Sequence, residues 1–88
     1  MSSHTETTNE RGKRYGSFLG QSRIAQELKD TMKRSPNWTT LSSSQKESLE
    51  MIQHKVARIL NGDPNYSDSW HDIAGYASLV DDELEGRL

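Results

Sequence analysis

Between Ser44 and Pro64 the chain reads "SQKESLEMIQHKVARILNGDP". Leu49, Ile52, Val56, Ile59 and Leu60 recur there at three- and four-residue intervals, the period of one face of an α-helix, and no alternating strand pattern competes. The ends are marked by local chemistry. "SQKE" at Ser44–Glu47 has the form of a capping box, in which a serine hydroxyl accepts the backbone N–H three residues on and the glutamate reaches back. "NGDP" at Asn61–Pro64 stops the helix, with glycine ahead of proline. The reading is a helix over roughly 44–60 with a buried aliphatic stripe.

Beyond this stop, Ser67 or Asp68 is placed to cap a further helix, whose Trp70, Ile73, Ala77, Val80 and Leu84 stand at heptad-like spacing through about residue 85. Upstream, Phe18, Ala25, Leu28 and Met32 repeat at helical spacing with Ile24 beside them and Arg23, Glu27, Asp30 and Arg34 opposite, which predicts a helix over roughly 17–34. Ser17 is its cap, and Gly20 weakens its first turn by roughly 1 kcal/mol. "SPNWTTLSSS" at Ser35–Ser44 is the connection, with Trp38 expected to fold back onto the core. One apolar stripe on each of three helices predicts an all-α fold, a three-helix antiparallel bundle over roughly 17–34, 44–60 and 68–85, the last two forming a hairpin.

"MSSHTETTNERGKR" at the amino end holds no apolar residue after Met1, so residues 1–13 read as a disordered polar tail and 14–88 as a single helical domain. Of 88 residues only 31% are hydrophobic, and an ordered part nearer ~70 residues buries only about 60% of its unfolded surface. A lone monomer would be marginal, so a homo-oligomer is expected. The absence of cysteine excludes disulfides, thiolate nucleophiles and cysteine-based zinc sites. No run of about 18 apolar residues and no apolar leader core occurs, so neither a membrane span nor a secretory signal is expected. The net charge of −2 divides unevenly, +3 over residues 1–40 and −5 over 41–88. Nucleic acid is not the expected partner of an acidic chain, although "RGKR" at Arg11–Arg14 could touch a phosphate backbone.

Glu47, Glu50, His54 and Arg58 follow one another by three or four residues on one stripe of the second helix. In a functional reading the glutamates are metal ligands and His54 a base or ligand; in a structural one Glu47 closes the capping box and Glu50–His54 is a solvated pair. On the third helix Asp68 and Asp72 oppose the helix dipole, while Gly75 and Tyr76 beside them call for a packing or binding reason. Lys55, at the edge of the apolar stripe, either snorkels or pairs with Asp72 across the hairpin, and such a pair is either structural or part of an anion site. The three scattered histidines, His4, His54 and His71, lack zinc-site spacing, and no phosphate loop, dinucleotide fingerprint or nucleophilic triad occurs.

"RYGSF" at Arg14–Phe18, "IAQEL" at Ile24–Leu28, "KVARIL" at Lys55–Leu60 and "DSWHDIAGYASL" at Asp68–Leu79 together resemble a family of short bacteriophage and prophage proteins of unknown function. That resemblance, over roughly residues 14–80, implies a helical accessory phage product in the host bacterial cytoplasm. More distantly the chain resembles the all-α, MazG-like nucleotide pyrophosphohydrolases, which hold magnesium with Glu-x-x-Glu on one helix and Glu-x-x-Asp on the next. Glu47-x-x-Glu50 matches the first half, and Ser69-x-x-Asp72 stands where the second would be.

The leading expectation is a non-enzymatic helical protein that binds a host protein or a nucleotide-type small molecule stoichiometrically, in an anti-defence or host-takeover role, with no cofactor. Arg14, Tyr15, Lys55, Arg58, Trp70, Asp72 and Tyr76 are its candidate contacts, the cations meeting phosphate or acidic groups and the aromatics stacking or anchoring. The alternative is a magnesium-dependent nucleoside triphosphate pyrophosphohydrolase with Glu47, Glu50 and Asp72 as ligands and Lys55 or Arg58 on phosphate.

Overall fold

The computed structural model describes residues 10–88, and all regular structure among them is helical. A short helix, α1, covers 10–15; α2 runs Phe18–Lys33, α3 Ser43–Asn61 and α4 Ser67–Leu84, with one 3-10 turn at Trp38–Thr40. Among the described residues there are thus four α-helical segments where three were expected, because residues 10–13, expected within the polar tail, belong to α1. Residues 1–9 of that tail, His4 included, lie outside the described residues.

Local chemistry accounts for the helix ends, with two corrections. Ser17 caps α2, its hydroxyl accepting the Gly20 N–H at 3.1 Å. The capping box of α3 is built from Ser42 and Gln45, not from Ser44 and Glu47: the Ser42 hydroxyl accepts from Gln45 N at 3.1 Å and the Gln45 amide oxygen from Ser42 N at 2.9 Å. Both frames satisfy the Ser-x-x-Glu/Gln pattern, and the earlier one leaves Leu41 beside Gln45, Leu49 and Ile52. At α4 the cap position is Tyr66, without a side-chain cap bond; Ser67 and Asp68 lie in the first turn, and Asp68 accepts from the Tyr66 hydroxyl at 3.0 Å.

The central element is α3, packed against α2 on one side and α4 on the other, while α2 and α4 scarcely touch. Lys33, at the end of α2, meets Glu50 at 3.7 Å, and Gln21, near its start, meets His54 at 3.3 Å, so α2 runs antiparallel to α3. The α3–α4 hairpin forms as expected, with Lys55 Nζ 3.2 Å from the Asp72 carboxylate. The antiparallel order holds, but the helices form a layer and not a closed bundle. A radius of gyration of 15.0 Å expresses this, against about 12 Å for a compact chain of this length.

The layer has a thin core. Ala25 and Ala57 are the only buried apolar residues among those described, and no large side chain is fully buried. Small residues at this seam draw α2 and α3 together. The stripes expected to be buried are covered only in part: Leu49, Ile52, Val56 and Ile59 are half-buried and Leu60 is exposed, while on α4 Ile73 and Val80 are half-buried and Trp70, Ala77 and Leu84 are exposed. Helical period states which residues share a face, and here much of that face has nothing packed on it. Trp38 does turn inward, half-buried, with the Lys46 ammonium 5.8 Å from its ring centroid.

Candidate functional site

Where α1 passes into α2, the backbone is latched to the end of α3. The Asp63 N–H donates to the Arg14 carbonyl at 2.6 Å, and the Asn61 side-chain amide donates to the carbonyls of Tyr15 at 2.7 Å and Ser17 at 2.9 Å. Two glycines make this approach possible. Gly16 has φ of 74°, and a Cβ there would collide with the Asn61 carbonyl; a Cβ at Gly62 would strike the Arg14 carbonyl and the Tyr15 backbone. "RYGSF" and "ILNGDP", 46 positions apart at Tyr15 and Asn61, are therefore two halves of one joint.

The joint lays the side chains of α1 over the last turns of α3. Tyr15 stands edge-on to Tyr66 with centroids 6.0 Å apart and planes at 70°. The Arg58 guanidinium lies 4.3 Å from the Tyr15 ring centroid, Arg11 lies 5.4 Å from the same ring, and Arg14 lies 4.9 Å from that of Tyr66. Beside them opens a cleft of about 540 Å³ lined by Arg11, Tyr15, Phe18 and Gln21 with the backbone of Gly12, Gly16 and Ser17. Phe18 at its rim is 74% exposed.

Positive charge in this corner is poorly compensated. Arg14 pairs with Glu10 at 3.1 Å, but among the described residues neither Arg11 nor Arg58 has a carboxylate partner, and the buried Nε of Arg58 has no hydrogen-bond acceptor. His54 answers to the same field. Its burial, reinforced by Arg58, Lys29, Lys55 and Arg11, holds the imidazole down to about 4, so it is neutral at physiological pH. The cleft also contains the amino end of α2, whose first turn carries no acidic residue to offset its partial positive charge. The chemistry offered is that of an anion receptor with aromatic walls.

The residues singled out from the sequence fall into separate groups. Arg14, Tyr15 and Arg58 come together here. Lys55 and Asp72 form their ion pair on the other side of α3, with the Lys55 side chain 11% exposed and Asp72 43%. Tyr76 joins His71, Asp72, Gly75 and Leu79 around an open recess of about 400 Å³, and a Cβ on Gly75 would meet nothing within 4 Å. Trp70 donates its indole N–H to the Pro64 carbonyl at 2.8 Å and is otherwise half in solvent. Glu47 is exposed, Glu50 pairs with Lys33 and Asp72 with Lys55, and His54 meets Gln21 instead of Glu50. No group of three histidine or acidic side chains among the described residues is placed to hold a metal ion, so Glu47, Glu50 and Asp72 are not brought together as one ligand set.

Gln21, Asn61 and Tyr66 were not among the residues the sequence singled out for binding; Arg11 entered only through "RGKR" as a possible phosphate contact, and Phe18 only as part of the apolar stripe of α2, where it is instead exposed. Asn61 read only as a helix stop, and its pairing with the Gly16 turn far along the chain had no local signal.

Among the described residues no helix is long and apolar enough to cross a membrane. Comparison with curated proteins and with solved structures finds no match. The family described as "Domain of unknown function (DUF6378)" matches residues 2–83, nearly the whole chain, and the protein belongs to that family.

Proposed function

We propose that this protein is a stoichiometric binding protein for a nucleotide-type anion, which it takes at the cleft between α1 and the start of α2, beside the end of α3. The observation that carries the reading is the pair Arg11 and Arg58, both set against Tyr15 and neither matched by a carboxylate among the described residues, beside an open cleft at the amino end of α2. Guanidinium groups and helix amino termini select phosphate oxygens, and an exposed phenyl ring beside them offers a stacking surface for a base. Phage origin, which the sequence resemblance implies, would make the natural use an accessory one, sequestering a nucleotide signal or metabolite of the host in an anti-defence or host-takeover role.

Isothermal titration with inorganic phosphate, a nucleoside, and the corresponding nucleoside mono- and triphosphates tests this. The nucleotides are expected to bind more tightly than either phosphate or nucleoside alone. Arg11→Ala is expected to weaken binding by about 10- to 100-fold, the worth of one charged hydrogen-bonding contact. Phe18→Ala should remove the preference for nucleotide over phosphate. Absence of binding by any phosphate compound at millimolar concentration, or affinity unchanged in Arg11→Ala, would overturn the reading.

A further inference from the structure

A domain normally pairs two layers of secondary structure around one core, whereas the described helices form a single layer with one apolar face open. The open face is continuous. Leu41, Leu49 and Ile52 of the α3 side and Ala77 and Val80 of α4 line a groove of about 310 Å³ with Gln45 and Ser48. On the same stripe of α4, seven residues to either side of Ala77, stand Trp70 and Leu84, 55% and 71% exposed. We infer that a second copy of this chain covers this face, the two α4 helices crossing antiparallel at a two-fold axis through Ala77.

Three features choose a second copy in this arrangement. The first is symmetry within the sequence: with Ala77 on the axis, the seven-residue intervals set Trp70 of one copy against Leu84 of the other at both ends, and the alanines allow close approach in the middle. The second is charge. Parallel helices would place Asp81, Asp82 and Glu83 beside the same three acids, while the antiparallel order separates the two acidic ends and sets these residues opposite Ile73, Asp72 and His71 of the partner's helix; Asp72 is there paired with Lys55, and Arg87 holds Asp81 and Asp82, so the antiparallel order is the less repulsive one. The third is area. Three helices about 27 Å long and spaced by about 9 Å present roughly 750 Å², close to the ~800 Å² per partner of a stable interface. With Ala25 and Ala57 the only buried apolar residues among those described, the layer gains most of its core from such cover, and its own copies are always at hand.

This inference stands apart from the anion cleft, and its experiment involves no ligand. Sedimentation equilibrium of the full chain is expected to show a dimer at micromolar concentration, and Ala77→Arg, which sets two cations together on the axis, to raise the dissociation constant by about 100-fold or more. The chain has no cysteine, so single thiols can be introduced cleanly. Under mild oxidation with diamide, A77C is expected to form an intermolecular disulfide far faster than G75C, which faces the other way on α4. A wild-type monomer at tens of micromolar, or a dimer in which A77C links no faster than G75C, would overturn the inference, and the cross-linking comparison decides even where Ala77→Arg fails to fold.

Discussion

Replacing Gly16 by alanine is the sharpest test of how the cationic corner is held together. Two costs combine. An L-residue with φ of 74° pays about 1–2 kcal/mol for the left-handed conformation. In addition, the new Cβ would collide with the Asn61 carbonyl, which is backbone at the end of α3 and cannot swing aside. Relief of that collision must open the joint, and with it the two Asn61 amide bonds to Tyr15 and Ser17 and the Asp63–Arg14 bond, each contributing about 1 kcal/mol net. The expected loss is about 4–5 kcal/mol, a large share of the roughly 4–13 kcal/mol available to a chain of this size. With an m-value of about 1 kcal/mol/M the urea midpoint should fall by about 4 M or more, measured by circular dichroism at one fixed protein concentration. Gly75→Ala is the control. It also replaces a helix-flanked glycine, but in open space and at ordinary φ, and should stabilise by about 0.5–1 kcal/mol. If both alanines stabilise, or Gly16→Ala is neutral, the joint does not hold α1 in place and the account of the site falls with it.

Three further outcomes follow from the same geometry. Asp72→Asn leaves the Lys55 ammonium nearly buried without a counter-charge, and should cost about 1–3 kcal/mol in urea unfolding, more than Lys55→Met, which removes the charge and keeps the packing; the reverse order would show that the pair contributes little. Ser42→Ala should cost about 1 kcal/mol and Ser44→Ala close to nothing, and the opposite ranking would return the capping box to Ser44 and Glu47. His54 titrates near 4 when folded and near 6.5 when unfolded, so the unfolded chain binds the extra proton; its contribution is complete above about pH 6.5 and is lost as pH falls through that window to about 4. At face value the displacement is worth about 3 kcal/mol, reduced by solvent screening of a partly exposed ring to about 1 kcal/mol, and His54→Gln should remove that part of the pH dependence in thermal melts.

What could be read from the chain beforehand divides by range. The stop at Asn61–Pro64, the cap at Ser17 and the existence of the three long helices rest on contacts within a turn or two, and all are present. Lys55 with Asp72 was legible because a lysine on the edge of an apolar stripe needs an acid from the neighbouring helix. The capping frame was not, since Ser42, Ser43 and Ser44 offer overlapping starts and only the placing of Leu41 separates them. Nor was the role of Gly16, which depends on a carbonyl far along the chain. The largest departure is the heptad of α4: Trp70, Ala77 and Leu84 do share a face, but periodicity carries no information on whether the covering surface belongs to the same chain.

The two faces of the layer bear on each other through α3. At about 100° per residue, Arg58 stands roughly half a turn around the helix from Leu49, so the guanidinium that meets Tyr15 and the leucine that lines the apolar groove point opposite ways. A dimer closed over the groove would therefore leave both cationic corners outward, on its two outer sides. No side chain of one corner would reach the other, and neither arginine pair would be neutralised by assembly. Binding should then be one ligand per chain with a Hill coefficient near one, and the dimer dissociation constant should not change when the cleft is filled, because a ligand shifts an equilibrium only by its differential affinity for the two states. Titration of the nucleotide into dimer, and sedimentation with and without it, measure the two quantities separately. Strong coupling in either would mean that the corner and the groove are parts of one interface, and that the arginines await an acidic surface of the partner copy instead of a phosphate.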